Sequence, residues 1–116
     1  MISTTQSGLI LTSSDRAYEL FFIPAALKEW KQLDNSVRVR LKKKLENVLH
    51  NPYLENNRLS GKLSQCYKIK DSKSGFRVIY GVRENTVVVY AVGKREKLTV
   101  YLAALARNSN QGEKDF

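Results

Sequence analysis

In the stretch CYKIKDSKSGFRVIY, Cys66 to Tyr80, two lysines stand one residue apart at Lys68 and Lys70, and Arg77 follows beyond a Ser-Gly turn. Side chains two positions apart on a strand share a face, so this spacing puts both amines on one side of a sheet. Amines and a guanidinium gathered with little acid nearby suit one task above others, which is holding a phosphate while negative charge grows on it.

Strand register decides whether Arg77 joins the lysines. Phe76, Val78 and Tyr80 alternate with Arg77 and Ile79, and Tyr67 and Ile69 alternate with Lys68 and Lys70. If the numbers of paired residues sum to an odd value, with Lys70 opposite Arg77, Ile69 joins Phe76, Val78 and Tyr80 on a covered face. Lys68, Lys70 and Arg77 then share the open one. An even sum would bury both lysines with the apolar set, at a high desolvation cost. The odd register is therefore expected.

The whole chain repeats this bias, with 20 Lys and Arg against 11 Asp and Glu, a net charge of +9 and a pI near 9.8. Such an excess points to a polyanionic partner. Lys68, Lys70, Lys73, Arg77, Arg83, Lys94, Arg95 and Lys97 face only Asp71, Glu84 and Glu96 in the same segment, so over half of the excess lies there. One Cys and one His exclude an internal disulfide and leave no soft ligand set for a structural zinc. No metal or cofactor is expected. The start MISTTQSGLILTSSD lacks the basic and apolar regions of a secretory signal, and no apolar run approaches a membrane span, so a soluble cytoplasmic protein is expected.

At 116 residues the chain suits one domain with one core. Residues 1–14 read as a flexible arm, 15–107 as the domain and 108–116 as a loose tail. The apolar stretch from Ala17 to Ile23 predicts a strand, and Pro24 opens a helix to about Leu33 with Leu27 and Trp30 inward. Val37, Leu41, Leu45 and Val48 recur at helical spacing after a cap among Asp34, Asn35 and Ser36, and Asn51-Pro52 stops that helix. Strands are predicted from Gln65 to Asp71, Phe76 to Arg83 and Thr86 to Val92, then a short helix from about Leu98 to Arg107. The resulting order is β-α-α-β-β-β-α. This is an α+β fold whose four-stranded sheet is expected to be antiparallel, covered by the N-terminal helical hairpin on one face and open on the other. His50 falls in the last turn of a helix, where an imidazolium complements the dipole, and Trp30 reads as core.

CYKIK, SGFRVIY and VVVYAVGKREKLTVY, preceded by ALKEWKQLDNSVRVRLKKKLENVL and NNRLSGKL, together resemble the RelE family of bacterial and archaeal toxins, from about Tyr18 to Ala106. The resemblance implies an mRNA endoribonuclease that enters the ribosomal A site, cuts the codon there and is neutralised by a RelB-like antitoxin. It also implies an active set of Lys68, Lys70, Arg77, Arg95 and Tyr101. In that assignment Tyr101 is general base, Arg95 is acid or leaving-group stabiliser, and Lys68, Lys70 and Arg77 hold the phosphate.

Contacts to RNA and ribosome are expected from Arg38, Lys42, Lys43, Arg58, Lys62, Lys73 and Lys94. Many relatives have a basic residue in the middle of the L-x-G loop where this chain has Ser60, with Arg58 and Lys62 as substitutes. Free Tyr and Arg titrate far from neutral pH, but neighbouring cations favour a phenolate. Two other functions on the same fold are a ParE-like inhibitor of DNA gyrase and a noncatalytic RNA- or antitoxin-binding module. The antitoxin is expected to be acidic and to dock between the last helix and the sheet.

Overall fold

The computed structural model describes residues 18–94 and 99–115. The chain runs β1 (Glu19–Phe22), α1 (Pro24–Lys31), α2 (Asn35–Val48), β2 (Cys66–Lys70), β3 (Phe76–Arg83), β4 (Thr86–Lys94) and α3 (Thr99–Asp115), with short 3-10 turns at Glu55–Asn57 and Gly61–Leu63. Every predicted element forms. Residues 1–14, read as an arm, lie outside the described residues. The last helix, expected to close near Arg107, continues to Asp115; no proline interrupts the segment.

The sheet departs from the expected all-antiparallel arrangement. Its order is β1-β4-β3-β2, and β1 runs parallel to β4, with Leu20 beside Val87 and Phe22 beside Val89. The physical reason lies in β4. Its run from Val87 to Val92 is buried on both faces, and a strand of that kind belongs inside a sheet. Only β1 is available to cover its outer side, since β2 and β3 already form a meander through short turns. The helical hairpin between β1 and β2 is long enough to make the crossover.

One face of the sheet is the expected core. Leu20, Phe22, Ile69, Val78, Tyr80, Val87 and Val89 are buried with Ala26, Trp30, Leu41, Leu45 and Val48 of α1 and α2. Trp30 is 3% exposed and its ring lies 5.2 Å from that of Phe22. Tyr80 donates from its hydroxyl to the Pro52 carbonyl at 2.8 Å, and burial pushes its phenol well above the usual range.

The other face is not open throughout. α3 lies on β4 and β3 and also reaches the Gly61–Leu63 turn, burying Val100 and Ala104. Two apolar faces on β4 require two covering layers, which a single hairpin cannot supply. A bulge places the extra residue Tyr90 between Val89 and Ala91. Gly81 makes room for its ring, because a Cβ there would stand 3.0 Å from Tyr90 Cε2.

β1 ends level with Val89, so the outer edge of β4 continues without a strand beside it. Two side chains serve that edge instead. Glu29 of α1 accepts from the Val92 N–H at 3.0 Å. Arg107 of α3 donates to the Tyr90 carbonyl at 2.8 Å and pairs with Glu29 at 3.0 and 3.1 Å.

Candidate active site

The register between β2 and β3 is the odd one, with Lys70 opposite Arg77 and Lys68 opposite Ile79. Lys68, Lys70 and Arg77 therefore share a face, turned away from the helical hairpin. They differ sharply in exposure. Lys70 is exposed and Lys68 half-buried, while Arg77, expected in the open, is only 8% exposed. Among the described residues its Nε is buried without a hydrogen-bond partner. The ion pairs of Arg40 with Asp71, Arg58 with Glu55 and Arg107 with Glu29 leave Lys68, Lys70 and Arg77 out. A guanidinium in that situation has a strong demand for an anion.

Gly93 brings the start of α3 to the same region. Arg77 pairs across the sheet with Gly93 of β4, and a Cβ built on Gly93 would stand 3.2 Å from Val100 Cβ of α3. Gly93 thus lets the first turn of α3 settle directly on the strand beside Arg77, with Tyr101 one residue further on and half-buried. Lys70, Arg77 and Gly93 form a transverse row across β2, β3 and β4, closed by α3 above its end. Arg95, the remaining member of the expected set, lies outside the described residues. Leu102, next to Tyr101, is 64% exposed, so that turn does not bury all of its apolar side chains.

The expected RNA contacts have mixed surroundings. Lys43, Lys62 and Lys73 are exposed and Lys42 is half-buried. Arg38 donates from Nη1 to the carbonyls of Leu33 and Lys31 at 2.7 and 3.2 Å, fastening the turn between α1 and α2. Arg58 donates from Nε to the Ser64 carbonyl at 2.7 Å and meets Glu55 at 3.3 Å. Its backbone bridges to Tyr67, so the L-x-G loop runs beside β2 next to Lys68. Gly61 in that loop has φ +67°, a left-handed conformation that glycine adopts at little cost. Lys94 pairs with Phe76 and its Nζ stands 5.5 Å from that ring, on the opposite side of the sheet from Arg77.

Two residues that sequence reasoning passed over secure the β2–β3 turn. Asp71, 3% exposed, accepts from Arg40 Nε and Nη2 at 2.7 and 2.8 Å and from Ser74 Oγ at 2.6 Å. The Arg40 guanidinium and Ser74 hold its carboxyl well below the usual carboxylate range, against the opposing effect of burial. The signal available was a lone acid in a basic run, immediately after the two lysines. Arg40 stands in the run RVRLKKKL, where nothing in the sequence separates it from its basic neighbours. At the other end of β2, opposite Gly81, Cys66 is fully buried, and desolvation raises its thiol to about 11.

No helix among the described residues is long and apolar enough to cross a membrane. The model of a family described as the ParE toxin of type II toxin-antitoxin systems matches residues 20–99. The mRNA interferase toxin RelE of Escherichia coli is 50% identical over 93 residues, covering 78% of this chain and 97% of that protein. A solved structure of E. coli RelE with two arginines replaced by alanine, in the free state, aligns with a TM-score of 0.73 at 47% identity over 78% of this chain and 97% of that one. The intact E. coli RelBE toxin-antitoxin complex contains a chain that aligns with a TM-score of 0.65 at 49% identity over 67% of this chain and 96% of that one. Sequence, fold and the arrangement of the sheet agree: the chain belongs to the RelE/ParE family of type II toxin-antitoxin toxins, on its RelE side.

Proposed function

We propose that this protein is an mRNA interferase that cleaves messenger RNA by intramolecular transesterification in the ribosomal A site. The observation that carries the reading is the row Lys70–Arg77, with Lys68 beside it, whose charges no described carboxylate neutralises. The 50% identity to a RelE mRNA interferase supports it.

In this reading the ribose 2′-oxygen attacks the adjacent phosphorus as Tyr101 takes its proton. A pentacoordinate phosphorane forms, the bond from phosphorus to the 5′-oxygen breaks, and the products are a 2′,3′-cyclic phosphate and a 5′-hydroxyl. Arg95 supports the leaving oxygen, either by supplying its proton or by stabilising the alkoxide until water protonates it. Lys68, Lys70 and Arg77 meet the nonbridging oxygens as their charge increases. One preorganised donor to such an oxyanion is worth about 2.7–4 kcal/mol, so a few cations can supply a large part of the acceleration. Alignment of the 2′-oxygen with the scissile bond is worth up to about 7–11 kcal/mol. Decoding-site RNA, holding the codon for this cationic face, supplies that alignment. Lys42, Lys43, Lys62 and Lys73 are accessible for backbone contacts.

A RelB-like antitoxin is the partner in this scheme, by likeness to the RelBE complex. An acidic segment docking where α3 meets the sheet would offset part of the +9 charge.

The test is 5′-end mapping of messages on purified translating ribosomes. Codon-phased cuts requiring translation are expected, and Arg95→Ala and Tyr101→Phe should abolish them while the protein stays folded and ribosome-bound. Intact messages accompanied by loss of gyrase supercoiling would replace this reading with the ParE-like one.

A further inference from the structure

We infer that Arg40, Lys44 and Asp71 are positioning residues for the cleavage reaction: they clamp the β2–β3 hairpin end to α2 from the far side of the sheet and thereby aim Lys70 and Arg77. This rests on the interferase reading above. The geometry is specific. Lys70 is the last residue of β2 and Arg77 the second of β3, so the turn between them, residues 71–75, determines how the two cations are presented.

Hydrogen bonds close that turn from within. The Asp71 N–H donates to the Phe76 carbonyl at 2.9 Å and the Gly75 N–H to the Asp71 carbonyl at 2.8 Å. The Phe76 N–H donates to Ser74 Oγ at 3.2 Å, and Gly75 has a φ of 82°. A five-residue turn held only by such bonds would still swing about the strand ends. Alternation places Asp71 with Ile69 on the hairpin side, opposite to the Lys70 side chain, and there Arg40 grips both of its oxygens at 2.7 and 2.8 Å. One helical turn later, Lys44 Nζ donates to the Lys70 carbonyl at 2.6 Å.

α2 therefore holds two consecutive residues, Lys70 by its backbone and Asp71 by its carboxylate. A bidentate guanidinium–carboxylate pair fixes orientation as well as distance, and Asp71 is nearly inaccessible to water. The guanidinium of Arg40 and the amine of Lys44 are both engaged on this side of the sheet, away from the face that would meet RNA. Their contribution to cleavage must pass through the residues they hold. Small displacements of reacting groups are costly, since a misplacement of about 1 Å can lower a rate on the order of a hundredfold.

The experiment compares single-turnover cleavage on purified translating ribosomes by the unaltered protein and by Arg40→Gln, Asp71→Asn, Lys44→Met and Arg40→Lys. The first two should lower the rate at saturating ribosomes at least tenfold, with the half-saturating ribosome concentration within twofold of unaltered. Lys44→Met should give a smaller loss. Arg40→Lys, which keeps the charge but not the fork, should recover part of the rate lost in Arg40→Gln. Hydrogen exchange at the Gly75 and Phe76 amides should quicken in Asp71→Asn.

Faster exchange with an undiminished saturated rate would show a purely structural clamp and overturn the inference. A shift confined to the half-saturating concentration would make Arg40 a ribosome contact and overturn it equally. Absence of cleavage by the unaltered protein would instead sink the interferase reading, and this inference with it.

Discussion

The Arg77 guanidinium is 8% exposed, so most of it lies out of reach of water that could solvate its charge. The unpaired Nε of Arg77 is consequently a liability in the empty toxin and an asset once a phosphate arrives. Function and stability should therefore move in opposite directions at this position. Arg77→Gln is expected to reduce single-turnover cleavage about a hundredfold or more while leaving the thermal midpoint unchanged or raised, since a buried uncompensated charge has been removed. Calorimetry beside the cleavage assay checks both halves; a lower midpoint with normal cleavage would assign Arg77 to the scaffold. The grouping of Lys68, Lys70 and Arg77 was legible in the sequence, because alternation and the cost of burying lysine select one register. The burial of Arg77 was not, since it depends on α3, whose covering role is invisible in strand periodicity.

Elements rather than single residues account for the other differences. The parallel placement of β1 follows from β4 being apolar on both faces, a property readable in VVVYAV. It determines position only after β3 has taken one side of that strand. Gly93 gives no signal in strand periodicity. In the fold it sets how closely α3 can approach. For Gly93→Ala a gain of roughly 0.5–1 kcal/mol from reduced chain entropy offsets only part of a crowding cost of roughly 1–3 kcal/mol, so a modest net loss of stability is expected. Cleavage should suffer more than stability, because Val100 must yield and Tyr101 follows it. Adding Val100→Ala to Gly93→Ala should restore part of the lost rate, and strictly additive effects in that cycle would argue against the contact.

The β2–β3 turn carries a pH signature. Since the Asp71 carboxyl lies below its ordinary value in the folded protein, its contribution is complete above the ~3.9 of a free Asp and disappears as pH falls from there toward the folded value. The difference in thermal midpoint between the unaltered protein and Asp71→Asn should thus be constant near neutrality and shrink on acidification below about pH 4. A difference that persisted unchanged into strong acid would mean that charge is not what holds the turn.

For the molecule as a whole, the +9 net charge makes salt the natural variable. Ribosome association should weaken steeply as salt rises, on the order of tenfold or more between about 50 and 200 mM if several phosphates are contacted. Filter binding across that range measures the slope. Substituting Lys43 and Lys62 with Gln should flatten it, whereas substitution of Arg38 or Arg58 should act mainly through loosened loops, given the carbonyls they hold. An affinity indifferent to salt would rule out a backbone-reading surface.

The Glu29–Arg107 pair has one more consequence, arising from where it sits. An uncovered strand edge is a template onto which another chain can add, the first step toward fibrils and insoluble deposits. Here a carboxylate and a guanidinium occupy the Val92 amide and the Tyr90 carbonyl where β1 has already ended. A strand with VVVYAV at its centre therefore offers less free backbone at that edge for a second chain to add to.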